Sequence, residues 1–236
     1  MSNAWREINH FLGRFLSPAV RWIFVANLLI FIVMMLVTPF SESLARVFRL
    51  LMQTPNETVE RFFIWQIVTY MFLHAGFLHL LMNMLVLWFF APRLEWRWGT
   101  AKFLRFYLVA GVGAGLVNIV AAYLSRKTNT TMLGASGAIY GVLLAYALNW
   151  PNDRVLLYFV IPVKVKHLMI LLGVFAFLGS IDSSGPGGIS HVTHLGGLLA
   201  AFLWLKGGDI LKRGRPGKRR SARVYQVPPN HPDFRA

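Results

Sequence analysis

The sequence predicts an all-α, polytopic membrane protein with a core of six transmembrane helices. Of its 236 residues 56% are hydrophobic and only 14% charged, where a soluble domain carries roughly 25% charge. Mean hydropathy is +0.53. Apolar runs near or above about 18 residues, enough to cross a bilayer as a helix, recur along the chain.

Taken in order, the opening stretch AWREINHFLGRFLSP reads as a short amphipathic helix on the membrane surface, so residues 1–19 form a cytoplasmic segment. The membrane domain covers 20–206, with spans expected at 22–38, 70–91, 101–123, 133–150, 167–181 and 190–205. The fifth is apolar only after Lys164 and Lys166. Residues 207–236 are basic and proline-containing and read as a disordered cytoplasmic tail lying on anionic lipid. No cleavable signal pattern and no internal repeat is visible.

The net charge of +15 is distributed as a membrane topology signal. Nineteen of the 24 Lys and Arg residues fall on one side of the six spans, while Arg46, Arg49, Arg61, Arg126 and Lys127 fall on the other. The positive-inside rule then puts both termini in the cytoplasm, which an even number of crossings requires. In a bacterium this would be the cell membrane. Nothing interleaves aromatic residues with the basic tail as a nucleic-acid-binding fold would, so nucleic acid is not an expected partner. The absence of cysteine excludes disulfides, thiol nucleophiles and zinc–thiolate sites.

Polar groups at membrane depth are costly and tend to be functional. They cluster in three places: HAGFLHLLMNM in span 2, GASGAIYG at the head of span 4, and SHVTHLGG at the head of span 6. Spans 2, 4 and 6 all enter from the outer face. His74, His79, Asn83, Ser136, His191 and His194 therefore fall in the outer halves of their helices, at similar depth. His79 and Asn83 are four residues apart and share a helix face, as do Ser136 and Tyr140; His191 and His194, three apart, can do the same.

This set contains what nucleophilic catalysis needs. A serine becomes nucleophilic when a base takes its proton, and the reaction needs donors aimed at the developing oxyanion. A histidine of span 6 could be the base. His79, the Asn83 amide and the Ser136 backbone N–H could be the donors. Gly134, Ala135 and Gly137 leave space for a close backbone approach. GASGA is not the G-x-S-x-G elbow of soluble hydrolases. None of the nine acidic residues lies within a span at the outer depth, so a Ser–His dyad is the simpler arrangement. Close helix packing accounts for GVGAG at 111–115 without any chemistry. A metal site is not expected, because H-E-x-x-H is absent and no carboxylate shares the depth of the histidines. No cofactor is implied, and neither broken helices in matching halves nor a carboxylate relay suggests a transporter.

From Trp65 to Ala201 the chain resembles the rhomboid family of intramembrane serine proteases. WQIVTYMFLHAGFLHLLMNM is similar to the family's segment around its second helix, EWRWG to its E-x-x-x-G, GASGAIYG to its G-x-S-G, and HVTHLGG to the start of its last core helix. The resemblance implies a rhomboid-like six-helix core with Ser136 as nucleophile and His194 as base, since Gly197 follows His194 by three. It implies an oxyanion hole of His79, Asn83 and the Ser136 N–H, with Tyr140 packed on the His194 ring. Trp65 belongs to the matching segment. His74 would be a structural residue at the water-facing end, Glu95 would brace the loop between spans 1 and 2, and Gly134 would leave room for substrate. The stretch 40–66 would form an amphipathic hairpin partly in the interface. Partners would be transmembrane protein substrates and membrane lipid. Three positions depart from the family pattern: Gln66 stands where an arginine is usual, Thr193 where a small residue is, and Ala201 where a glycine is, which would loosen packing between spans 4 and 6. The alternative is a non-catalytic rhomboid-like chaperone or binding module, although such relatives usually lack the serine or the base.

Overall fold

The computed structural model describes residues 16–157, 160–181 and 188–213. The expected surface helix before residue 16, the 182–187 stretch with Asp182, and the tail from 214 onward lie outside the described residues.

Helix α1 (Pro18–Val37) starts with proline at its first turn, where the missing N–H costs nothing. Its free N–H groups are satisfied from far along the chain. Glu95 accepts from Ala19 N at 2.8 and 3.0 Å, from Val20 N at 3.1 Å and from the Ser17 hydroxyl at 2.5 Å. A carboxylate at a helix N-terminus meets both the orphan donors and the positive end of the dipole. Thr100 Oγ1 donates to the same carboxylate at 2.6 Å. Glu95 thus caps the first helix, and its hydrogen bonds among the described residues run to Ser17, α1 and Thr100 where the loop between spans 1 and 2 was expected.

That loop folds as amphipathic α2 (Glu42–Leu51), capped by Ser41 Oγ accepting from Leu44 N at 3.3 Å, and short α3 (Pro55–Glu60) and α4 (Gln66–Thr69). A one-residue antiparallel bridge, Gln53 with Met132, ties it to the approach to Gly134. Gln66 is fully buried. It accepts from Thr54 N and Thr58 Oγ1 and donates to Leu50 O and Glu57, so a neutral amide gathers the loop. Trp65 Nε1 adds a bond to Leu50 O at 2.9 Å.

The second long helix, α5 (Phe77–Trp98), begins seven residues later than expected, because Tyr70–Phe72 turn as a separate 3₁₀ segment. It ends at Gly99, whose φ of +83° suits glycine, and α6 (Thr100–Leu124) follows at once. Then come α7 (Ser136–Asn149), a hairpin of β1 (Arg154–Leu157) and β2 (Ile161–Lys164), α8 (Val165–Ile181) and α9 (Gly188–Arg213). Helix α9 runs past the expected boundary at 206. The hairpin corrects the all-α expectation. Its strands are rich in β-branched and aliphatic residues, and Pro162 is tolerated because a two-stranded sheet leaves every strand an edge. Among the described residues α1, α5 and α6 are long and apolar enough to cross a membrane, and α7 and α8 are shorter apolar helices.

Helix α7 lies at the centre, against α5, α6, α8 and α9. Small residues let the backbones meet. A Cβ at Gly197 would lie 1.9 Å from the Gly137 carbonyl oxygen, one at Gly137 2.5 Å from Ala114 Cβ, and one at Gly113 2.3 Å from Ala200 Cβ. Ala201 does not loosen the α7–α9 contact. It is fully buried and faces Gly141, whose missing side chain leaves room for the methyl.

Gly197→Ala is expected to destabilise the protein by at least about 3 kcal/mol, the upper end of ordinary overpacking, because the obstructing atom is backbone. Gly173→Ala, with nothing within 4 Å of the added Cβ, is expected to leave the unfolding midpoint in detergent unchanged or slightly raised.

Candidate active site

Ser136 opens α7, and His194 lies on α9, two turns into that helix. The His194 Nε2 and Ser136 Oγ atoms are 2.9 Å apart, within hydrogen-bond range. The Tyr140 ring, one turn along α7 from Ser136, stacks on the imidazole with centroids 4.2 Å apart and planes 6° apart. This clamps the ring plane. His191 meets His194 edge-on at 6.1 Å and packs under Gly179 of α8. Of the two span-6 histidines, His194 is therefore the one at the serine.

A cavity of about 350 Å³ opens beside this pair. His79, Asn83, Gly134, Ser136, Tyr140 and His194 all line it. Asn83 Nδ2 is buried with no hydrogen-bond partner among the described residues, a donor still free for a ligand. Gly134 has φ +126°, and a Cβ there would lie 2.7 Å from His79 Cε1. The space that glycine leaves is filled by the His79 ring. The Gly134 N–H is spent on Tyr70 O at 2.9 Å. Gly137 faces Ala114 and Thr193, so it serves helix packing.

His74 corrects one expectation: it precedes α5 and is not on a helix. Its side chain is fully buried. The 66–72 segment tucks it behind His79, with ring centroids 5.0 Å apart. Trp65 and Glu95 are remote from the cavity and act on the loop and on α1. Among the described residues no group of three His, Cys, Asp or Glu side chains converges as metal ligands would.

Sequence reasoning missed a buried polar chain behind the pair. Gln53 Nε2 donates to Gly115 O at 3.3 Å, Asn118 Nδ2 donates to Gln53 Oε1 at 2.9 Å, and the Thr193 hydroxyl shares its one proton between Asn118 Oδ1 at 3.4 Å and Met132 Sδ at 2.8 Å. It joins the first loop, α6 and the residue next to His194, and all three side chains are buried. The only available sequence signal was Asn118, an amide inside an otherwise apolar span.

A family model described as "Rhomboid domain" matches residues 61–207, more than half the chain. The chain belongs to the rhomboid family. It is an integral, multi-pass membrane protein of that family. YdcA of Bacillus subtilis is 34% identical over 141 residues, covering 59% of this chain and 64% of that protein. Rhomboid protease GluP of the same organism is 31% identical over 165 residues, 69% of this chain and 30% of that protein. Rhomboid-like protease 3 of Toxoplasma gondii is 26% identical over 197 residues, 84% of this chain and 71% of that protein. The match thus spans less than two-thirds of the length of both Bacillus relatives.

Asn118→Leu is expected to cost roughly 1–3 kcal/mol, because Gln53 Oε1 loses its donor in a buried setting. Thermal unfolding of the purified protein, beside the exposed α6 control Val120→Ala, measures it.

Proposed function

We propose that this rhomboid is an intramembrane serine endopeptidase that cleaves transmembrane proteins in or beside their membrane segments. The observation that carries the reading is the 2.9 Å approach of His194 Nε2 to Ser136 Oγ beside a cavity that Asn83 lines with an unpaired amide. His194 Nε2 takes the serine proton as Oγ attacks the peptide carbonyl. The developing oxyanion receives hydrogen bonds from His79, Asn83 and the Ser136 N–H. Collapse of the tetrahedral species breaks the C–N bond, and the leaving amine takes the proton back from His194. The imidazole then draws a proton from water, which hydrolyses the acyl-enzyme and regenerates Ser136. No carboxylate is needed to orient the ring while Tyr140 holds it.

The six helices α1, α5, α6, α7, α8 and α9 are the membrane crossings in this reading, with both termini cytoplasmic and the cavity toward the outer leaflet. The length of α7 supports a buried site. Its 14 residues extend about 21 Å, well short of a hydrocarbon core of roughly 30 Å. A central helix anchored at its C-terminal end therefore begins below the opposite surface, with Ser136 at that depth. A helical substrate must unwind locally, since its carbonyls are already hydrogen-bonded. Gly, Ala or Ser near the cut with helix breakers nearby suit that requirement.

In liposomes carrying a panel of single-span reporters with such cut sites, the wild type is expected to cleave at least one. Ser136→Ala and His194→Ala are expected to abolish cleavage, and Asn83→Ala to lower kcat by about 10²-fold with little change in KM. Cleavage that survives Ser136→Ala would overturn the assignment. A folded wild type that binds the reporters without cutting any would favour a non-catalytic binding module.

A further inference from the structure

At the opposite end of α7 from Ser136, a groove of about 560 Å³ runs between α7, α8 and α9. Its walls include Leu148, Ile170, Leu199 and Phe202, each of which also presents 43–64% of its surface outward. The groove therefore opens sideways from the bundle, toward lipid. Among the described residues the one charged side chain lining it is Lys166, half-buried at the start of α8.

Two further cations sit on the hairpin that leads into Lys166. Lys164 ends β2 two residues before Lys166, and in the hairpin register it faces Arg154 directly. Like charges directly opposite on a strand pair are destabilising unless something neutralises them. No acidic side chain among the described residues forms an ion pair with Arg154, Lys164 or Lys166. The carboxylate nearest in sequence, Asp153, is already committed to Arg93 and to the Tyr146 hydroxyl. The same hairpin exposes Leu156, Val160 and Ile161 at 58%, 76% and 54%. Apolar side chains interleaved with uncompensated cations are what an element resting at the headgroup–acyl boundary carries.

We propose that this groove is a binding site for one anionic phospholipid, with an acyl chain between α7, α8 and α9 and the phosphodiester held by Lys166 with Lys164 and Arg154. The volume falls within the roughly 300–1,000 Å³ usual for small-ligand sites. The occupant must be both apolar and anionic. A bare apolar helix, from a substrate or from a second copy of the chain, fills the groove and leaves the three cations unanswered. The lipid also does structural work, bracing the hairpin against the C-terminal half of the central helix. None of this depends on whether Ser136 is catalytic.

The test is photo-crosslinking of the full chain in bilayers, using phosphatidylglycerol and phosphatidylcholine that carry the same diazirine-bearing acyl chain, with labelled peptides mapped by mass spectrometry. Phosphatidylglycerol is expected to label 144–148, 169–172 and 198–202 at least about five-fold more than phosphatidylcholine, the preference one interfacial cation supplies. Lys164→Ala combined with Lys166→Ala should erase that preference, and Lys166→Arg should keep it. Equal labelling by the two lipids would overturn the proposal, as would labelling spread evenly around the bundle. A groove protected from both lipids would mean a protein occupant and overturn it equally. The wild-type ratio decides the matter even if the double variant fails to fold.

Discussion

The contact between Gly137 and Gly197 sets the terms for the rest of the molecule. There the α7 carbonyl oxygen occupies the place a side-chain carbon of α9 would need, 1.9 Å from an added Cβ. No residue but glycine permits that approach at position 197. His194 is one turn earlier on the same helix, and Ser136 is the residue before Gly137. A methyl-sized separation of the two helices would carry Nε2 out of hydrogen-bond range of Oγ, since that bond is 2.9 Å long and weakens quickly beyond about 3.5 Å. Without a hydrophobic drive between helices inside lipid, close packing of this kind is also what holds the bundle together.

Polar side chains then fix what packing leaves free. Glu95 joins the start of α1 to the α5–α6 corner, Gln66 gathers the first loop, and Gln53 with Asn118 links that loop to the helix carrying His194. Each is buried and each satisfies backbone or amide groups that hydrocarbon would leave unpaired. The pattern explains why a neutral amide suits position 66. The position has to supply hydrogen bonds in two directions, and an amide donates and accepts where a guanidinium only donates.

The sequence made the meeting of His79, Asn83, Ser136 and His194 legible for a simple reason. Three spans entering from one face put their first turns at one depth, and i, i+4 spacing selects the faces. The helix order and most boundaries followed from apolar runs. What stayed hidden was set by contacts distant in sequence. The break before α5 falls at 73–76, where Gly76 is the one local signal, and a lone glycine in an apolar run does not by itself set a helix boundary. RVLL and IPVK lack strict alternation, and the strands they form were indistinguishable from a connecting loop. The loop-brace role of Glu95 came from the resemblance alone, and its hydrogen-bond partners at Ser17 and Ala19 lie 78 and 76 residues away, beyond the reach of local patterning. Gln53, Asn118 and Thr193 are neutral and widely separated, so neither charge nor spacing marked them.

The central claim is that His194 makes Ser136 a nucleophile. Treating the purified full chain with a fluorophosphonate and mapping the adduct by mass spectrometry tests it most directly. The account predicts a phosphonyl group on Ser136 alone in the wild type, and none in folded His194→Ala. An adduct on another serine, or labelling of Ser136 that is indifferent to His194→Ala, would contradict it.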